Sequence, residues 1–125
     1  MVTKQKGGKI LKRLMPDQRI EWNTWQKGIP ASVQGGEVKV AASILPMLSE
    51  AEFVALIGHE AAHVQAMHSP YFEKLKTRDE MAFESGHEGT LFNIYLIGIY
   101  NRYHVTENVS RSLHKKVEVW RAAGN

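Results

Sequence analysis

His59-Glu60-Ala61-Ala62-His63 is the stretch of this chain whose residue types and spacing could do chemistry. Residues four apart lie on one face of an α-helix, so both imidazoles can reach a single ion. Glu60 is offset on the helix surface, where its carboxylate can reach a water rather than the ion. The H-E-x-x-H pattern suits zinc, which lowers the pKa of a bound water so that a carboxylate can take its proton as it attacks a peptide carbonyl. His59 and His63 are therefore candidate ligands of Zn²⁺. Glu60 is the candidate catalytic residue, as general base and proton shuttle.

The element that must position these residues is legible on both sides of them. Ser49 and Glu52 form an S-x-x-E capping box, which marks a helix start. From Glu50 to about His68 there is no proline, and Phe53, Val54, Leu56, Ile57, Val64 and Met67 alternate with alanines around the whole circumference. A helix apolar on every side belongs in the centre of a domain. Two histidines and a glutamate buried there need polar partners, because leaving them unsatisfied costs several kcal/mol, roughly. A metal would satisfy all three together; a helix with hydrogen-bonded histidines and no ion is the plainer alternative.

Catalytic zinc keeps three protein ligands and one open position. A third histidine in the pattern H-E-x-x-H-x-x-G-x-x-H is excluded, because Ala66 and Ser69 stand at the glycine and histidine positions. His68 comes five residues after His63, one short of that spacing, and reads as a helix-end residue. Better candidates lie in Thr77–Gly89, where Glu80, Glu84 and His87 share one helical face.

Composition narrows the setting. A chain of 125 residues can bury one core without staples. With no cysteine there is neither a disulfide nor a Cys-type zinc site, which leaves His and carboxylate ligands. The basic start lacks a following apolar run and is not read as a secretory signal, and the run Leu91–Tyr100 is too short to span a bilayer. The expectation is a soluble chain of unknown location, cytoplasmic or exported as a domain of a larger protein. Net charge is +5 over residues 1–28 and −2 after them. A segment this basic could meet an acidic protein partner or inhibitor, nucleic acid or an anionic membrane, but the expectation is a solvated, partly mobile arm without a nucleic-acid motif.

Elsewhere, Ile20, Trp22 and Trp25 suggest an ordered, strand-like segment ended by Gly28 and Pro30. Glu37–Ala42 alternates in the strand period after the Gly35-Gly36 turn, and Pro46 ends it. Ser69-Pro70 breaks the motif helix; further helices are expected over Tyr71–Lys76, from Thr77 or Arg78, over Leu91–Tyr103 and over Thr106–Ala123. In the last, Val109, Leu113, Val117 and Trp120 form one core-facing stripe.

The stretch Ser43–His68, with its strand, its L-P-x-L-S-E-x-E entry and its H-E-A-A-H helix, resembles the gluzincin metallopeptidases, in particular the family of HtpX and the CAAX prenyl protease. The resemblance covers roughly residues 37–88 and lacks that family's transmembrane helices. It implies a second helix whose E-x-x-x-D motif supplies a zinc-binding glutamate and an aspartate that supports the first histidine. Glu80-Met-Ala-Phe-Glu84 fits that spacing with Glu in place of Asp, so Glu80 becomes the third ligand and Glu84 its supporting or reserve residue. Aligning the family's small alanine on Ala82 makes Asp79 the ligand instead. The resemblance also implies that the strand near Val38–Ala42 pairs with an extended substrate. His87, His104, Tyr71 and Tyr100 are open candidates for steadying the tetrahedral intermediate.

The expectation is thus an α+β, minimal zincin-like domain, mostly helical, with a small sheet preceding the motif helix. A basic segment over 1–28 would precede a metallopeptidase domain over 29–125, acting on a peptide or protein substrate. The alternatives are a zincin-fold binding or regulatory module without catalysis, and the peptidase toxin domain of a bacterial secreted effector.

Overall fold

Thr3 opens the first helix, α1 (Lys4–Leu14), by accepting the Lys6 amide on its hydroxyl at 3.1 Å. The computed structural model describes residues 1–22, 26–69 and 90–125. Val2, Leu11, Leu14 and Met15 are buried in the same core as the rest of the chain, while Lys4, Lys6, Lys9, Lys12 and Arg13 stay exposed. The solvated, mobile arm expected from charge is therefore an amphipathic helix. Its apolar stripe, spaced Gly7–Leu11–Leu14, was masked by the lysines between. Gly7 allows the close approach: a Cβ there would sit 3.0 Å from Trp22 and 3.2 Å from Phe53.

Three short strands follow: β1 (Arg19–Glu21), β2 (Ala31–Gln34) and β3 (Glu37–Val40). β2 and β3 are an antiparallel hairpin across Gly35-Gly36, whose φ values of +56° and +78° suit the tight turn that matches strand twist. β1 pairs with β3 in parallel, giving the order β1-β3-β2. Alternation in β3 buries Val38 and Val40 completely. Ala42–Met47 is a 3₁₀ turn containing Pro46, and it leads into the capped helix.

That helix, α2 (Glu50–Met67), carries both halves of the capping box. The Ser49 amide donates to Glu52 Oε1 at 2.7 Å, and the Glu52 amide donates to Ser49 Oγ at 3.1 Å. Phe53, Ala55, Ile57, Ala61 and Ala62 have no exposure, as expected for a helix apolar all round. Two further helices cover it. α3 (Thr90–Arg102) buries Leu91, Phe92 and Ile99, and α4 (Glu107–Ala122) buries Leu113, Val117 and Trp120 on its single stripe. His104 closes α3 at φ +57°, where the Val105 amide returns to the Tyr100 carbonyl at 2.8 Å. The domain is α+β, with the small sheet ahead of the motif helix. No helix of the described residues is long and apolar enough to cross a membrane.

Glu52 does more than cap. It is 4 % exposed and also accepts Ser112 Oγ at 2.5 Å and Lys116 Nζ at 2.6 Å, both from α4. Burial alone would raise its pKa, but the bonds from Lys116, Ser112 and Ser49 outweigh that and hold it at about 2, below the usual 4.5. The folded value is the lower one, so the stability this carboxylate contributes is present above pH 4.5 and is lost as pH falls towards 2. Glu52→Gln is expected to lower stability by roughly 1–3 kcal/mol at neutral pH, by disrupting these paired donors. Urea unfolding at pH 7 and pH 3 checks both statements: the gap between wild type and variant must shrink at the lower pH.

Candidate active site

The i, i+4 spacing brings His59 and His63 onto one side of α2, with ring centroids 5.1 Å apart. Phe92 of α3 packs against both, at 4.8 Å and 4.3 Å, so the covering helix meets the two imidazoles with an aromatic edge and face. His59, Glu60 and His63 are each half-buried, and none of the three is without a partner.

His59 and Glu60 border a cleft of about 310 Å³. Its floor is apolar, from Ala55, Leu56, Leu113 and Val117. One part of the lining, its lip, is Ile29-Pro30-Ala31, the entry to β2, and another, its rim, carries His114, Glu118 and Arg121 of α4. Tyr100 closes the end, its hydroxyl donating to the Ala55 carbonyl at 3.2 Å, and burial raises its pKa. In an α-helix that carbonyl also faces the amide of His59, four residues on, so Tyr100 braces the turn that presents the first histidine.

The sequence-derived assignments fall into three groups. His59, Glu60 and His63 come together as expected, and Tyr100 joins His59 and Glu60 at the cleft. His68 and His104 do not. His68 is exposed at the end of α2 and borders a different cavity with Gln65, Ser69 and Tyr95, while His104 terminates α3. Asp79, Glu80, Glu84, His87 and Tyr71, with the helices expected around them, lie outside the described residues. Among the described residues no group of three His, Cys, Asp or Glu could hold a metal. The two imidazoles fit the nitrogen half of a His-His-carboxylate zinc site in donor chemistry and in sharing one helix face.

Two features differ from expectation. The strand near Val38–Ala42 cannot receive a substrate along its edge, because β3 is central and its backbone is paired on both sides. Among the described residues the edge nearest the cleft is β2, whose first residue, Ala31, lines it. Its four-residue sequence, Ala-Ser-Val-Gln, has too little alternation to stand out. His114 was also missed. The available signal was a histidine directly beside the core stripe of an amphipathic helix, between Leu113 and Val117.

Over residues 21–72 the chain matches the model of Peptidase family M48. That stretch runs from the end of β1 through the sheet and all of α2, less than half of the chain, and it supports a zincin-type metallopeptidase relationship for this part of the fold. No curated protein and no solved structure matches the chain.

Gly58 precedes the motif where α3 crosses α2. A Cβ there would lie 3.1 Å from Ile99 Cγ2 and 3.4 Å from the Tyr100 ring. Gly58→Ala should be nearly neutral, since this tight contact offsets a helix-propensity gain of about 1 kcal/mol. Gly58→Val should cost about 1–3 kcal/mol by forcing α3 away. Denaturation midpoints of the two variants measure the difference.

Proposed function

We propose that the protein is a zinc-dependent metallopeptidase that hydrolyses peptide bonds in the cleft beside Glu60. The observation that carries this reading is the opening of His59 and Glu60 into a cleft whose lip leads into an edge strand. The match to a peptidase family over the same elements supports it. His59 and His63 would hold Zn²⁺ with Glu80 as third ligand and Glu84 supporting an imidazole from one turn away. Bound zinc supplies Lewis acidity, which polarises the substrate carbonyl and makes water acidic enough to react near neutral pH.

The chain's own residues do the rest. An extended peptide adds to the outer edge of β2 through main-chain hydrogen bonds, which sets its scissile carbonyl over His59 and Glu60. Glu60 takes the proton of the attacking water and delivers it to the leaving amine. The apolar lining from Ala55, Leu56, Leu113 and Val117 lies beside that carboxylate, and the cleft leaves it open to the attacking water. Tyr100 and His114 are the described residues of the cleft able to donate to a developing oxyanion, and Tyr100 must first release the Ala55 carbonyl.

Glu60→Gln should retain the metal and lose hydrolysis by about 100- to 10,000-fold, since it removes a base and no ligand. Elemental analysis together with a chelator-controlled peptide cleavage assay measures both; a variant as fast as wild type rejects the mechanism, and a wild type that binds peptide without cleaving it favours a binding module.

The ligand assignment has its own test. Replacing a supporting residue lowers metal affinity by about 10–100-fold, and replacing a ligand lowers it further. Zinc affinities of Asp79→Asn, Glu80→Gln and Glu84→Gln, titrated side by side, should show the greatest loss at Glu80. A greater loss at Glu84 or Asp79 moves the ligand without disturbing the peptidase reading.

A further inference from the structure

The lip of the cleft is held by α4. Arg121, near the end of α4, donates from Nε to the Gly28 carbonyl at 2.7 Å, and the Gly28 amide donates back to the Asn125 carbonyl at 3.0 Å. Gly28 sits at φ +79°, a backbone state that glycine adopts without penalty. The contact is not a matter of space, because a Cβ at Gly28 would meet Arg121 only at 3.9 Å. The guanidinium is aimed by a second bond, from NH1 to Glu118 at 3.0 Å. On the other side of the lip, the Ala41 amide binds the Pro30 carbonyl at 2.9 Å and anchors the chain to the end of β3. Ile29, Pro30 and Ala31 are therefore fixed between two clamps, one to the sheet and one to α4.

Both walls of the cleft thus meet at a single side chain. Ile29-Pro30-Ala31 supplies one part of the lining, α4 supplies Leu113, His114, Val117 and Glu118, and Arg121 lines the cleft while its Nε bonds the Gly28 carbonyl beside the lip. The volume of about 310 Å³ is near the lower end of ligand pockets and has an apolar floor, which suits one apolar side chain of a bound peptide. In such a pocket, size selection depends on the distance between walls.

From this geometry we propose that Arg121 is a specificity-determining positioning residue: through the Gly28 carbonyl it sets the width of the cleft and so the size of substrate side chain admitted beside Glu60. The proposal rests on the peptidase reading for what the cleft binds, and on the Arg121–Gly28 clasp for how it selects. Arg121 is partly exposed, takes no part in bond breaking, and acts only through the lip.

The test uses the full chain and peptides carrying Ala, Leu or Trp at either residue flanking the scissile bond. Wild type should favour one size by about tenfold or more in kcat/KM, as apolar pockets do per methylene. Arg121→Gln should flatten that preference by at least about threefold, and Arg121→Lys, which can still donate to the Gly28 carbonyl, should restore part of it. Amide hydrogen exchange at Ile29 and Ala31 should quicken in Arg121→Gln. Unchanged size ratios with a lower melting temperature would overturn the proposal and leave Arg121 a structural brace. If Arg121→Gln does not fold, Arg121→Met, which keeps much of the apolar stem but cannot donate to the Gly28 carbonyl, carries the same comparison. Calorimetric binding of the same peptides to Glu60→Gln, with and without Arg121→Gln, separates the two readings. If wild type cleaves nothing, the peptidase reading falls, but size-selective binding that flattens without Arg121 upholds this one. Binding without size preference, or none at all, overturns it.

Discussion

The motif helix must be buried on almost every side and yet open where His59 and Glu60 stand, and Glu52 is the group that reconciles the two. It is the third residue of α2, one turn from the helix start and about two turns before His59. As a capping residue it satisfies the entry of α2, and as a buried carboxylate it binds Ser112 and Lys116 of α4. α2 is consequently indexed against α4 by directional bonds as well as by apolar packing, which alone would tolerate a slide or rotation. Since α4 also supplies the floor and far rim of the cleft, the same carboxylate fixes where that rim lies relative to Glu60. A hydrophobic pair of equal volume could fill the space without setting that register.

The helices were legible where local signals agreed. The capping box, the absence of proline and the all-round apolar surface identified α2 almost to the residue. The stripe Val109–Leu113–Val117–Trp120 did the same for α4. α1 was not legible, because its lysines dominate the composition while only Gly7, Leu11 and Leu14 carry the buried stripe. Charge describes what a helix shows to solvent and says little about what it hides. β2 failed for a different reason: Ala-Ser-Val-Gln becomes a strand by pairing with β3 across the glycine turn, a tertiary preference and not a local one.

At the site, the spacing of His59 and His63 required only helix geometry, so the pair was readable in advance. The cleft was not, since it is made by segments far apart in sequence: Ile29–Ala31, the motif helix, Tyr100 and the His114–Arg121 face. Sequence could nominate Tyr100 as a polar aromatic, but it could not reveal that its hydroxyl holds the Ala55 carbonyl. Nor could it separate β3 from β2 as the strand beside a substrate, because alternation reports burial of faces and not which edge is free.

The division of labour between α3 and α4 follows from these contacts. α3 packs Phe92 on both histidines and approaches α2 closely at Gly58. α4 leaves Glu60 a cleft and holds the lip by Arg121. One covering helix thus places an aromatic ring against both imidazoles. The other keeps an opening at the carboxylate, where a reacting peptide and water must enter. Phe92 packs on both imidazoles, whereas the cleft is bordered by His59 and Glu60 and not by His63, so the asymmetry of the packing, and not the motif alone, gives the site its direction.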